Sequence, residues 1–243
     1  MKIDVLTLFP EMYDAMNMSI LGRAIADEYL SIDYINIRDF AENKHNKVDD
    51  YPFGGGPGMV MKPEPIYNAI MSVKKENSRI IYLSPKGRVY DQELANELSK
   101  EEHIVFLCGH YEGIDQRIID NYITEEVSIG DYVLTGGELA SMVIIDSIAR
   151  LIPGVLSSEE SFTDESHYSG LLEYPQYTRP RVFKDFEVPE VLLSGNHRNI
   201  AEWRKYKALK DTYLKRPDVF SEYNLDKEEK KLFKKIMVEI DNK

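Results

Sequence analysis

The chain has a single cysteine, Cys108, in 243 residues, and its 30 lysines and arginines are outnumbered by 42 aspartates and glutamates. One cysteine cannot form an intrachain disulfide and gives a metal cluster nothing to build on, which suits a reducing compartment. Long apolar runs are missing too: none approaches the roughly 20 residues that span a bilayer. The opening MKIDVLTLFPEM lacks a basic region followed by a long apolar stretch, so neither secretion nor membrane insertion is expected, and the location expected is cytoplasmic. A formal net charge of -12 and a pI near 5.0 argue against a protein that coats nucleic acid non-specifically. There is no internal repeat or low-complexity tract, which excludes a solenoid. The glycine-rich Phe53–Met59 (FGGGPGM) is not a nucleotide-triphosphate loop, because no Lys-Ser/Thr pair follows, and it does not fit the dinucleotide fingerprint placed after a first strand.

What is present is enough to fold. Hydrophobic residues make up 43% and charged residues 30%, ordinary for a packed soluble chain and too apolar for a disordered one. The length allows one large domain, or a larger and a smaller one. Strand-like runs over Lys2–Leu8, Ser31–Ile37, Arg79–Leu83, His103–Leu107 and Thr124–Ser128 alternate with helical stretches starting near Glu11, Pro65, Asp91, Asp115 and Gly137. That alternation predicts an α/β domain, a mostly parallel sheet covered by helices, over residues 1–156. The last of these helices has the clearest start, because Thr135 and Glu138 form a T-x-x-E pattern that reads as a capping box. Its expected end is at Arg150 and Leu151, before Pro153 and Gly154.

From 157 to 170 the chain turns small, polar and acidic, which predicts an exposed connection. Beyond it, Asn196–Leu214 and the amphipathic Asp226–Ile240 predict a small helical domain over 171–243. Between Arg179 and Arg216 there are ten lysines and arginines against five acids. A net-basic face of this kind serves nucleic acid or merely solubility, and charge alone does not separate the two.

Four segments carry glycines where a ligand could approach backbone. Phe53–Met59 is the first, since four glycines in five positions are an entropic cost that a structural turn rarely needs. Tyr82-Leu83-Ser84-Pro85-Lys86-Gly87 is the second, at the carboxyl end of a predicted strand, where open α/β sheets bind ligands; an ordinary Pro-Gly turn explains it equally well. The third is Cys108-Gly109-His110-Tyr111-Glu112-Gly113, again at a strand end. There the plain explanation makes His110 and Tyr111 surface loop residues and Cys108 a buried small hydrophobe. The fourth runs from Ser128, Ile129, Gly130, Asp131 and Tyr132 through Val133 and Leu134 to Gly136 and Gly137, and feeds a helix start whose free amides suit ring nitrogens, ribose or carboxylate oxygens. The last three loops follow successive strand ends and converge on one edge of the sheet.

With those segments in place, the chain resembles the bacterial tRNA (guanine-N1)-methyltransferases of the SPOUT superfamily nearly end to end. The resemblance runs through LFPEM (Leu8–Met12), VDDYPFGGGPGM (Val48–Met59), LSPKGR (Leu83–Arg88), GHYEGIDQR (Gly109–Arg117), IGDYVLTGGELA (Ile129–Ala140), RLIPGVL (Arg150–Leu156), GLLEYPQYTRP (Gly170–Pro180) and LLSGNH (Leu192–His197). It implies a deep trefoil knot, a homodimer with a composite active site, and a helical domain that grips tRNA. The implied donor is S-adenosyl-L-methionine, held by Tyr82, Leu83, Ser84 and Pro85, by Gly109, Tyr111, Glu112 and Gly113, and by the loop from Ser128 to Gly137. The resemblance also implies Asp49, Gly58, His197 and Arg198 as substrate-binding residues, and Mg²⁺ as an accompanying ion, although the sequence shows no dedicated ligand cage.

The implied reaction methylates N1 of the guanine immediately 3′ of the anticodon. That nitrogen carries a proton, so it attacks a sulfonium methyl only as the proton leaves, and a base is needed. Charge then develops on O6, where a fixed arginine stabilises it; Arg150 matches the family's arginine. The family's base is an aspartate shortly before Gly-Leu-Leu. Here the chain reads Asp164-Glu165-Ser166-His167, which places Glu165 at that position, with Asp164 beside it and Glu160 available through a shifted alignment. Two other readings stay open at this stage: a related enzyme methylating a ribose 2′-hydroxyl, disfavoured by the C-terminal blocks, and a non-catalytic RNA-binding module, disfavoured by the intact loops.

Overall fold

The computed structural model describes residues 1–156, 166–168 and 170–242 and divides into two compact units, Met1–Ser158 and Glu159–Lys243. In the first, β1 (Lys2–Thr7) leads through a 3-10 stretch, Pro10–Asn17, into α1 (Ser19–Ala26) and β2 (Ser31–Asn36). A small hairpin of β3 (Asp49–Asp50) and β4 (Val60–Met61) precedes α2 (Pro63–Val73), β5 (Arg79–Val89) and α3 (Gln92–Leu98). Then follow β6 (His103–Cys108), α4 (Gln116–Tyr122), β7 (Glu125–Ser128) and α5 (Glu138–Ala149). Five strands form one sheet in the order β2-β1-β6-β5-β7, every neighbouring pair parallel.

A parallel sheet of this kind is covered on both faces, so its central strand is buried along its whole length rather than on alternate residues. In β6 every residue is buried. Successive side chains point to opposite faces: Ile104 and Phe106 join Ile3, Val5, Ile81 and the inner side of α5 in one core. Val105 and Leu107 join Leu6, Ile80 and the inner residues of α2 and α4 in the other. One buried polar set is satisfied internally, as burial requires. His103 Nε2 lies 2.8 Å from Asp4 Oδ2, and its Nδ1 2.7 Å from Ser78 Oγ.

Two expectations about local structure are corrected. The strand expected to stop at Leu83 continues to Val89, and what reads as a strand-to-helix turn, Ser84–Gly87, is a bulge within it. Leu83 and Arg88 both pair with Val127. Pro85 has no amide to give a ladder, and Gly87 passes so close to β7 that a Cβ would lie 2.3 Å from the Glu126 carbonyl carbon. The Thr135–Glu138 capping box does not form. The residue capping α5 is Gly137, without a side-chain bond, and Glu138 points into the core.

The second unit holds a hairpin of β8 (Val182–Phe183) and β9 (Phe186–Glu187), then α6 (Glu190–Leu193), α7 (His197–Lys215), α8 (Pro217–Glu222) and α9 (Lys227–Asp241). Leu171, Leu209, Leu232 and Ile236 form its centre. A capping box does occur here, at Asp226 and Glu229, opening α9. Of the expected connection over 157–170, only 166–168 and 170 are among the described residues. There the Ser166 hydroxyl accepts from the Glu173 amide and the His167 amide donates to the Leu171 carbonyl, both at 2.9 Å.

Candidate active site

The bulge of β5 and the carboxyl ends of β6 and β7 open into a cleft of about 300 Å³. Every residue expected to hold the donor lines it, from Tyr82 through Gly109 to Gly137, with the exception of Asp131. Lys86, His110, Gln116 and Glu126 line it as well, though the sequence pattern did not single them out as site residues.

The walls are held by backbone. The turn after β6 is fixed to the β4 segment: the Met61 amide donates to the Gly113 carbonyl at 2.9 Å, and the Glu112 amide to the Met59 carbonyl at 3.0 Å. In the loop after β7, the Gly130 amide donates to Ser128 Oγ at 3.2 Å and the Tyr132 hydroxyl to the Ile129 carbonyl at 3.2 Å. The amide of Gly137 donates to the carbonyl of Gly109 at 3.2 Å, joining the third loop to the second.

The side chains at the cleft divide by environment. Burial, with the Glu126 charge beside it, pushes the Tyr82 phenol up to about 12, so it stays protonated at neutral pH. Glu126 Oε2 is buried and has no hydrogen-bond partner among the described residues. His110 has a side chain only 15% exposed, with Nε2 2.8 Å from Glu138 Oε2. Cys108 is fully buried, as expected, and burial followed by the Glu138 charge pushes its thiol up to about 12, which leaves it inert as a nucleophile.

Other expected site residues lie elsewhere. Asp49 pairs with Met61 in the small hairpin, and Gly58 sits where a Cβ would be 2.4 Å from Glu112 Cγ, next to the cleft but not lining it. Arg150 caps the far end of α5, roughly 18 Å of helix from Glu138 at 1.5 Å per residue. His197 and Arg198 open α7 and are exposed. Glu165, Asp164 and Glu160 lie outside the described residues. In the basic segment, Lys205, Lys210, Lys215 and Arg216 pair with acids of the same unit. Its positive face is therefore weaker than a count of charges suggests.

A family model described as tRNA (Guanine-1)-methyltransferase TrmD matches residues 1–222. The chain belongs to this tRNA (guanine-1)-methyltransferase family.

Curated relatives agree along nearly the whole chain. The tRNA (guanine-N(1)-)-methyltransferase of Clostridium botulinum (strain Loch Maree / Type A3) is 59% identical over 235 residues, covering 96% of this chain and 98% of the relative. Proteins of the same name from Clostridium novyi (strain NT) and Clostridium tetani (strain Massachusetts / E88) are each 58% identical. The first match covers 96% of both chains, and the second 95% of this one and 97% of the other. The five-stranded parallel sheet with helices on both faces is in keeping with the SPOUT fold of the tRNA (guanine-1)-methyltransferase family. Within that frame, His110 is a polar residue that sequence patterning left undecided and Glu138 one that it misassigned. A histidine after a strand-end glycine was a usable signal for the first, whereas Glu138 was hidden behind a cap pattern.

Proposed function

We propose that this chain transfers the methyl group of S-adenosyl-L-methionine to N1 of the guanine immediately 3′ of the anticodon in tRNA, acting in the cytoplasm. The observation that carries the reading is a cleft formed where the bulge of β5 meets the loops after β6 and β7, in a chain that belongs to a tRNA (guanine-1)-methyltransferase family. Bound there, the donor supplies a methyl on a positively charged sulfur. The residues present suit such a molecule. Backbone amides and carbonyls of the 128–137 loop match an adenine edge, and the buried, unpartnered Glu126 oxygen matches a hydroxyl or ammonium that donates to it.

In this reading Glu165 takes the N1 proton, with Asp164 and Glu160 as the alternative carboxylates, and Arg150 faces the charge that grows on O6. Arg150 does not line the cleft of its own chain, which favours a site completed by a second copy. A homodimer with a composite site provides it. The outer side of α5 supports it, because Leu139 and Val143 are about half exposed there and a helix apolar on both sides is normally covered. Asp49, Gly58, His197 and Arg198 remain the proposed tRNA contacts, and the trefoil knot belongs to the same reading. It is supported by the chain returning from β7, at the sheet edge, across to the β6 end at Gly109. Among the described residues no group of three or more His, Cys, Asp or Glu is placed to hold a metal ion such as Mg²⁺.

The test is direct: unmodified tRNA transcripts are incubated with the protein and the donor, and reverse transcription across the anticodon loop is followed. N1 methylation blocks base pairing and stops extension at the nucleotide 3′ of the anticodon. Full read-through with methyl incorporated at a ribose would overturn the assignment in favour of 2′-hydroxyl chemistry.

A further inference from the structure

Glu138 is the first residue of α5 and is 1% exposed. A carboxylate removed from water needs hydrogen-bond partners for both oxygens, and this one takes them from two separate elements. Oε1 accepts from the hydroxyl of Thr7 at the end of β1, at 2.6 Å, and Oε2 lies 2.8 Å from Nε2 of His110 in the turn after β6. The set is closed around it. Thr7 Oγ1 accepts from the Phe9 amide at 3.0 Å, and the Phe9 ring meets the His110 ring edge-on, centroids 4.9 Å apart. Neither Glu138 nor Thr7 lines the cleft, whereas His110, Gly136 and Gly137 do.

We infer that Glu138 is a positioning residue for the methyl donor: it clamps the His110 turn against the Gly136–Gly137 turn, fixing the separation of two cleft walls before the donor arrives. The inference rests on the reading that S-adenosylmethionine occupies this cleft. Loops held in the binding geometry beforehand lose less freedom when the ligand enters, so the clamp acts on donor affinity and leaves the chemical step alone. Simple core support would lower the melting temperature with no matching change in affinity.

The experiment compares Glu138→Ala, Glu138→Gln and Thr7→Val. It reads the Kd of S-adenosylhomocysteine by calorimetry, the KM for S-adenosylmethionine and kcat on a tRNA transcript, and the melting temperature. Glu138→Ala should raise Kd and KM about tenfold, with kcat at saturating donor within about twofold of the parent. Thr7→Val keeps its size and loses only the hydroxyl, and should raise both about threefold. Glu138→Gln can still accept from Thr7 and donate to a neutral imidazole, and should stay within about twofold.

An unchanged Kd in both Glu138→Ala and Thr7→Val overturns the clamp, as does a fall in kcat at an unchanged Kd. If Glu138→Ala does not fold, Thr7→Val decides: a raised Kd supports the clamp and an unchanged one overturns it. Leu134→Trp, which fills the cleft from an exposed lining position, separates the two readings. Normal binding of S-adenosylhomocysteine by this variant removes the donor from the cleft. Lost binding here, with normal binding by the Thr7 and Glu138 variants, removes the clamp alone.

Discussion

The amide of Gly137 donates to the carbonyl of Gly109 at 3.2 Å, so the last residue before α5 is tied to the first residue after β6. The approach is possible because Gly137 has no side chain. A Cβ there would lie 2.9 Å from Cys108 Cα and 3.3 Å from Leu83 Cβ, atoms of two central strands that cannot move aside. Gly137→Val should therefore destabilise the protein by about 1–3 kcal/mol, as overpacking does, and weaken donor binding. Thermal unfolding and calorimetry with S-adenosylhomocysteine check it; a variant as stable as the parent and equally able to bind would contradict the close approach.

Glu126 leads to a second expectation. Its Oε2 is buried without a partner among the described residues and its charge, after burial, adds to the raised pKa of Tyr82. A carboxylate meeting a donor group on the ligand is worth about 1.5–3 kcal/mol. Glu126→Gln should thus weaken S-adenosylhomocysteine binding by about tenfold or more while leaving the melting temperature equal or higher. Unaltered affinity would mean that no ligand group reaches this oxygen.

The proposed arginine and base are tested by substitution. Arg150→Ala should keep donor affinity and lose about 10²–10³ in kcat, the usual cost of removing a group aimed at developing charge. Glu165→Gln should bind donor normally and lose about 10²–10⁴ in single-turnover rate. Near-parental turnover by the Glu165 variant would pass the role to Asp164 or Glu160. If Arg150 comes from a second copy, mixing the Arg150 and Glu165 variants should restore part of the activity that each lacks.

Stability should fall on the alkaline side. Burial raises the Cys108 thiol from 9.0 to about 12 and the Tyr82 phenol from 10.0 to about 12; burial likewise raises Tyr90 to about 12. Both kinds of group are neutral when protonated, so the unfolded chain ionises first. Their contribution is complete below about pH 9 and is lost progressively as pH rises towards 12. Urea unfolding at pH 8, 9.5 and 10.5 should give a falling free energy, and Cys108→Ala should flatten the first part of that fall. At pH 8 the folded protein should resist thiol alkylation that the unfolded chain accepts at once.

Much of this was legible in the chain itself. The apolar run of β6, HIVFLC, marks a strand buried on both faces, and the structure places it at the middle of the five-stranded parallel sheet. The glycine-bearing loops were legible for a related reason: glycines are recognisable wherever a backbone must pass close to something else. Sequence blocks alone carried the family resemblance, because LSPKGR, GHYEGIDQR and IGDYVLTGGELA keep their order and spacing.

Tertiary structure decided what local pattern could not. Thr135 stands three residues from Glu138 and satisfies the capping rule on paper, yet the carboxylate bonds to Thr7, 131 residues away. A buried acid takes whichever donors the packed elements bring to it, and sequence distance has no part in that choice. The strand that outlasts Leu83 depends on β7 pairing with it beyond a bulge, and the inward His110 depends on Glu138 being there to meet it. Periodicity and turn residues report local preference, so they determined the elements and their class; partners across the fold are set by three-dimensional packing, and only the structure could assign them.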